Sequence, residues 1–136
     1  SRGIEFTNMS KFRPVPILGG VHAGTFLEPV ENAQDYVYIN TDITRNRECF
    51  ALKVRGDSME PSGIVEGDTV VISKDASITN GDIAVVLVNG EAAIKVYNKI
   101  RDKVCLSSTN PAYPPIYPQD YKILGKLIYL LREYKN

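Results

Sequence analysis

The sequence has little of the chemistry that metal sites and imidazole-based catalysis need, since its 136 residues include one histidine, two cysteines and no tryptophan. Cys49 and Cys105 lie far apart with no Cys-x-x-Cys pair, and with His22 they supply too few ligands for a zinc site. A lone histidine allows only one imidazole-dependent site, and we expect His22 to have a surface or structural role instead of serving a Ser-His-Asp triad. No metal and no cofactor are therefore predicted.

Net charge and long apolar runs are missing as well. Sixteen basic and sixteen acidic residues cancel, so the chain has no overall field, and no basic run, to hold DNA, RNA or an anionic membrane. No apolar run approaches the ~20 residues that span a bilayer, and the N-terminus lacks the order of a signal peptide. We expect both cysteines to be small buried apolar residues with free thiols, as in proteins of a reducing compartment. These absences predict a cytoplasmic protein that binds neither membrane nor nucleic acid through this segment.

What the sequence does contain is a series of short β-rich runs separated by turn residues. Asn89-Gly90 is the strongest hairpin signal, because a type I′ turn needs two positive φ angles and Asn-Gly tolerates both. The length suits one domain. Strands at this spacing predict an all-β fold, a compact barrel or sandwich of short, mostly antiparallel strands. The predicted strands are 36–39, 49–54, 68–73, 83–88, 92–97 and 103–108.

The two ends of the chain are less regular. Residues 1–14 are polar and have no apolar period, which predicts a flexible leader. Residues 15–29 mix apolar runs with glycines and predict an extended segment interrupted by bends. In the tail, apolar residues recur with helical spacing, but Gly125 and frequent β-branched residues interrupt the pattern, so periodicity leaves helix and strand open.

Ser58 and Lys95 are the candidate catalytic residues. Ser58 follows Gly56-Asp57, a composition equally typical of an ordinary turn, and Arg55-Gly56-Asp57 also spells an integrin-binding tripeptide, which has little weight in a chain without a secretion signal. A lysine can replace histidine as the base if desolvation keeps its amine neutral. Lys95 lies in the apolar run "AAIKVY", but strand alternation alone does not decide whether its side chain faces inward or solvent.

Four stretches, in order, resemble the C-terminal domain of the LexA and phage CI-type repressors. This Ser-Lys self-cleaving peptidase family also includes UmuD and is related to signal peptidase. The resemblance runs from about residue 15 to 132 and implies that the tail is a strand. It also implies a leader or linker at 1–14 and a LexA-like peptidase and dimerisation domain at 15–136, with a mobile cleavage segment at 15–29. The stretches are "VHAG" (21–24), "GDSMEPSGIVEGDTVVI" (56–72), "GDIAVVLVNGEAAIKVY" (81–97) and "NPAYPPI" (110–116).

The resemblance assigns roles to individual residues. It implies that Ser58 is the nucleophile and Lys95 its general base, and that the backbone N–H groups of Ser58 and Met59 form the oxyanion hole. The scissile bond would join Ala23 to Gly24. His22 departs from the family, which more usually has a small or apolar residue before the alanine.

The implied function is the self-cleaving serine peptidase and dimerisation domain of a bacterial or phage transcriptional repressor of the DNA-damage (SOS) type. The implied partners are a second copy of the chain, a RecA-type recombinase filament as activator, and DNA only through an N-terminal helix-turn-helix domain that this chain does not contain. One alternative is a UmuD-like polymerase accessory protein, which has a short leader but commonly a cysteine before the scissile glycine. A second is a catalytically inert oligomerisation module. A third, a signal peptidase, is disfavoured because those enzymes carry a membrane anchor.

Overall fold

The computed structural model describes residues 11–18 and 35–134. Within these ranges the chain is almost entirely β-structure, which confirms the predicted all-β class. The strands are β1 (Phe12–Ile17), β2 (Asp35–Asn40), β3 (Cys49–Lys53), β4 (Thr69–Ser73), β5 (Ile83–Val88), β6 (Glu91–Ile100), β7 (Lys103–Ser107) and β8 (Lys122–Leu131). The helices are α1 (Thr41–Thr44) and a single 3-10 turn at Glu60–Ser62. Neither of these helices of the described ranges is long and apolar enough to cross a membrane.

The strands form one sheet with the order β2-β1-β3-β4-β8-β5-β6-β7. The pairings are antiparallel, except that β1 runs parallel to β3. The C-terminal strand β8 lies between β4 and β5, so it joins the strand that follows the Ser58 turn to the hairpin that carries Lys95. Strand β8 therefore connects the part of the sheet next to Ser58, which ends with β4, to the part that contains Lys95, which begins with β5.

The core lies on both faces of the central strands. In β4, Val70 and Ile72 pack into one apolar cluster and Val71 into another, and all three are fully buried. In β3, Phe50 and Ala51 divide in the same way. Because successive side chains point to opposite faces, such runs of buried residues indicate strands that are covered on both sides. The turn that carries Ser58 is thus anchored between two rigid strands.

The Asn89-Gly90 hairpin is confirmed. Asn89 has a φ of 53° and Gly90 a φ of 80°, the pair of positive angles that a type I′ turn requires. The turn sets the register of β5 against β6, from Val88↔Glu91 to Ile83↔Val96. In this register Lys95 lies directly across from Ala84.

The tail is a strand, as the family resemblance implied. Strand β8 passes close to β4 at Gly125, where an added Cβ would lie 2.5 Å from Cγ2 of Ile72 and 2.6 Å from the carbonyl oxygen of Ser73. Glycine is therefore the residue that lets the two strands approach here. The register shifts by one residue at Leu124 against β5 and at Ile128 against β4, so β8 contains two bulges.

Strand β1 differs from the sequence-based expectation. It begins at Phe12, inside the predicted leader 1–14, and extends to Ile17 in the predicted cleavage segment 15–29. Val15 is buried in the core, and the strand pairs with β2 along its whole length. Pro14 and Pro16 occupy alternate positions, so the N–H groups that they lack would all point to the same side of the strand. Because β1 pairs with β3 at only one position, the strand tolerates two prolines.

Candidate active site

Ser58 lies in the turn between β3 and the 3-10 helix. The N–H of Gly56 donates to Oε1 of Glu66 over 2.9 Å, which closes the loop before the serine. The next side chain, that of Met59, is only 2% exposed and packs in the core cluster beneath the turn. Ser58 itself is half-buried. Its position is therefore fixed by a hydrogen bond on one side and a buried anchor on the other.

An ion pair holds the far end of this loop. Asp68 is 1% exposed, and its carboxylate accepts hydrogen bonds from Arg132 at 2.7 and 2.8 Å. The same carboxylate accepts the main-chain N–H of Val65 over 2.9 Å. The hydrogen bond from Arg132 is the main reason that the pKa of Asp68 lies below its ordinary value of 3.8. The pair connects the residues after β8 to the loop that returns from Ser58 to β4.

Lys95 lies in the middle of β6 and is half-buried. Its Nζ donates to Oγ of Ser108 over 2.7 Å and lies 5.9 Å from the centre of the Tyr113 ring. Burial lowers the pKa of the Lys95 ammonium from its ordinary value of 10.5, because the charged form loses contact with water. The strand pattern left the direction of this side chain open, and the structure shows it bound to another residue of the protein.

One segment, residues 108–113, contacts both candidate catalytic residues. Ser108 accepts from the Lys95 amine. Two residues on, the main-chain N–H of Asn110 donates to the carbonyl oxygen of Ser58 over 3.0 Å. The side chain of Asn110 adds a hydrogen bond from Nδ2 to the carbonyl oxygen of Asp57 at 3.1 Å. The Ser58 turn and Lys95 are thus held against a common support.

Tyr113 at the end of this segment connects the same two parts. Its hydroxyl donates to Oδ1 of Asp57, the residue before Ser58, over 2.6 Å, while its ring lies near the Lys95 amine. The hydrogen bond to the carboxylate and its negative charge raise the pKa of Tyr113, so the phenol stays protonated as a donor.

Thr109 also connects the segment 108–113 to the residues that follow Ser58. Its hydroxyl accepts from Oγ of Ser62 over 2.7 Å and donates to Sδ of Met59 over 3.9 Å. Consecutive residues of the segment therefore bind the lysine, the 3-10 helix and the serine turn.

The backbone around Ser58 offers free donors. Across residues 11–18 and 35–134, neither the N–H of Ser58 nor that of Met59 donates to a main-chain acceptor. Their carbonyl groups are in use, since that of Ser58 accepts from Asn110 and that of Met59 accepts from Ser62 at 3.0 Å. Two adjacent donors beside a hydroxyl, neither paired to a main-chain acceptor within the described residues, are an arrangement that can bind a developing oxyanion.

The segment 108–113 contacts both Lys95 and the Ser58 turn. The Lys95 amine donates to Ser108, and among the described residues no hydrogen bond joins this amine to the Ser58 hydroxyl. Ala23, Gly24 and His22 lie outside the described residues. Sequence reasoning missed Ser108 and Tyr113. The position of the turn between β6 and β7 would have been enough to find Ser108. The pairing of these strands ends at Val96↔Ser107, and one further step along both strands places Ser108 opposite Lys95.

The sequence is similar to those of known proteins over most of its length. Residues 16–128 match the family model described as Peptidase S24-like. The chain is 43% identical over 119 residues to the LexA repressor of Desulforamulus reducens, an alignment covering 88% of the chain and 56% of that protein. It is 40% identical over 133 residues to the LexA repressor of Clostridium kluyveri, covering 97% of the chain and 66% of the relative. For the LexA repressor of Leptospira interrogans the identity is 37% over 142 residues, covering 98% and 70%. The chain thus spans less than two thirds of the first two relatives.

Proposed function

The chain belongs to the Peptidase S24-like family, and on that premise we propose that it is the self-cleaving serine peptidase and dimerisation domain of a transcriptional repressor of the DNA-damage (SOS) type. Ser58 is the nucleophile, Lys95 the general base, and Ala23-Gly24 the bond that is cut. The observation that carries this proposal is the segment 108–113, which binds the Lys95 amine through Ser108 and the Ser58 turn through Asn110.

The chemistry starts from a neutral Lys95 amine. It takes the proton of the Ser58 hydroxyl while Oγ attacks the carbonyl carbon of Ala23. The negative charge passes to the carbonyl oxygen, where the N–H groups of Ser58 and Met59 stabilise it, each by roughly 3–4 kcal/mol. The Lys95 ammonium then gives its proton to the nitrogen of Gly24 as the peptide bond breaks. In the second half of the reaction Lys95 takes a proton from water as the water oxygen attacks the ester carbon, and the ammonium returns this proton to Oγ of Ser58 as the ester bond breaks, which frees the Ala23 carboxyl group and restores the serine.

The attack is intramolecular, because the cleavage segment belongs to the same chain as the site. Its rate then depends on how often that segment occupies the site and not on the affinity for a separate substrate. Lys95 is only half-buried in the structure, and docking of the cleavage segment over it would remove more water. Since desolvation favours the neutral amine, docking and activation of the base are coupled.

The partners that we propose follow from the family. They are a second copy of the chain, a RecA-type recombinase filament that promotes cleavage, and DNA bound through a helix-turn-helix domain, all in the cytoplasm. The relatives described above are named LexA repressors, at 37–43% identity, which favours a repressor over a UmuD-like accessory protein.

The direct test is the mass of the purified chain after incubation at alkaline pH. We expect two fragments, residues 1–23 and 24–136, that appear with first-order kinetics and at the same rate at every protein concentration. Ser58→Ala is the control and should stay intact. A wild-type chain that remains whole, even with the recombinase filament, would instead support an inert oligomerisation module, and a rate that rises with concentration would contradict the intramolecular mechanism.

A further inference from the structure

We propose that Ser108 is a positioning residue for the self-cleavage reaction: its hydroxyl oxygen accepts one N–H of Lys95 and thereby directs the lone pair of the amine towards Ser58. This inference rests on the proposed function, because it assigns a task to Ser108 within the same site. It concerns a residue that neither the sequence motifs nor the comparisons single out.

The contact is built into the sheet. Strands β6 and β7 pair without interruption from Ile100↔Lys103 to Val96↔Ser107. The next cross-strand position places Ser108 opposite Lys95, where side chains share one face of the sheet. Nζ and Oγ are 2.7 Å apart, at the short end of the range for an N–H···O hydrogen bond. A ladder of backbone hydrogen bonds therefore fixes the serine relative to the lysine.

A general base needs a directed lone pair. A neutral lysine amine has two N–H bonds and one lone pair, and it turns freely about its last C–N bond unless an N–H is held. An acceptor at 2.7 Å holds one of them and narrows the directions left to the lone pair. Ser108 can do this for Ser58 in particular, because Asn110, two residues further, holds the carbonyl of Ser58. The acceptor and the nucleophile are therefore positioned by the same segment.

Other charged and titratable groups surround Lys95 without taking this role. The Tyr113 ring lies 5.9 Å from Nζ, and the carboxylate of Asp57 is reached through the Tyr113 hydroxyl. Lys126 belongs to the same cross-strand row through Ala84, and its own ammonium lies 3.5 Å from Asp82. Among the described residues, the recorded side-chain hydrogen bond of the Lys95 amine goes to the Ser108 oxygen and to none of these groups.

The test compares self-cleavage of Ser108→Ala, Ser108→Thr and the matched control Ser107→Ala with that of the wild type, over a range of pH. Ser107 is the neighbouring serine and points to the opposite face of β7. We expect Ser108→Ala to lower the plateau rate roughly 10- to 100-fold, as a misplaced reacting group does. Its pH midpoint should move to lower pH, because the ammonium loses an acceptor. Ser108→Thr, which keeps the hydroxyl, should restore most of the rate, and Ser107→Ala should match the wild type.

The outcomes separate this inference from the proposed function. If the wild type cleaves and Ser108→Ala cleaves with the same plateau and midpoint, Ser108 has no positioning role and the proposed function stands. If Ser108→Thr is as slow as Ser108→Ala while both unfold cooperatively at the wild-type temperature, the hydroxyl is not the group that matters. If the wild type does not cleave at all, the proposed function fails and takes this inference with it. A Ser108→Ala chain that does not fold is replaced by Ser108→Cys, which keeps the size of serine but is a weak acceptor, and which should show the same loss of rate.

Discussion

The ring of Tyr113 lies 5.9 Å from the amine of Lys95, close enough for a cation–π interaction. Such an interaction stabilises the charged ammonium and works against the burial that favours the neutral amine. The hydroxyl of the same ring donates to Asp57 beside Ser58. Tyr113 therefore contacts Lys95 through its ring and the Ser58 turn through its hydroxyl, and the effects of the two contacts can be measured separately.

Removal of the ring should make Lys95 easier to deprotonate. In Tyr113→Leu, which keeps an apolar side chain beside the amine, we expect the pH midpoint of self-cleavage to fall by up to about one pH unit, because the ammonium loses the attraction of the ring while most of its burial is kept. Tyr113→Phe is the matched control, since it keeps the ring and loses only the bond to Asp57, and its midpoint should stay at the wild-type value. An unchanged midpoint in Tyr113→Leu would show that the ring does not act on the charge of Lys95.

Loss of Ser58 or of Lys95, the two proposed catalytic residues, should stop cleavage without unfolding the protein. Ser58→Ala removes the attacking oxygen, and Lys95→Met keeps the length of the side chain but removes the base. Both side chains are half-buried and lie outside the three core clusters, so we expect cooperative thermal unfolding near the wild-type temperature. Intact-mass measurement after alkaline incubation reads out cleavage. Normal cleavage in either variant would remove that residue from the site.

The ion pair of Asp68 should make stability depend on acid. Its folded pKa is depressed, so its contribution is present above the ordinary value of 3.8 and is lost as the pH falls through the folded value. Asp68→Asn should therefore unfold at lower urea than its parent at pH 7, and the gap between the two should narrow at pH 3. Ser58→Ala serves as the parent chain, so that cleavage does not disturb the measurement. A gap that is constant with pH would contradict a stabilising carboxylate at Asp68.

The close contact at Gly125 predicts a loss of stability that is independent of catalysis. In Gly125→Ala the new methyl would meet the backbone of Ser73, which cannot move away as a flexible side chain could. We expect a loss of about 1–3 kcal/mol in the free energy of unfolding, the usual cost of overpacking. Tyr129→Phe, a change at a partly exposed position of the same strand, should stay within about 0.5 kcal/mol of the wild type. Urea denaturation measures both.

The tail shows why periodicity could not assign it. Strand β8 contains two bulges, at Leu124 and Ile128, and each adds a residue to the alternation of side chains. The apolar pairs Ile123-Leu124 and Leu127-Ile128 are consequently four residues apart, which imitates a helix. Only the pairing with β4 and β5 reveals the bulges, and that information is not local in the sequence. The family resemblance identified the strand where the pattern failed.

The rest of the fold divides in the same way. Strands bounded by turn residues, such as the two joined by Asn89-Gly90, could be predicted because the signal is local. Strand β1 could not be predicted, because proline lacks the N–H that strand pairing uses. Pro14 and Pro16 are compatible with a strand here because β1 pairs with β3 at a single position. At the site, Ser58 and Lys95 could be predicted because they lie in sequence motifs. The contact of Ser108 with Lys95 depends on the register of β6 against β7, and this register is known only when the turn between the two strands has been located.

The measurement that tests the central claim most directly is the first-order rate of self-cleavage as a function of pH. If Lys95 acts as the base, the logarithm of the rate should rise with unit slope and level off at a midpoint below the ordinary lysine value of 10.5, because burial lowers its pKa. The plateau should vanish in Lys95→Met. A rate that does not change with pH, or a profile that survives the loss of the amine, would contradict the account.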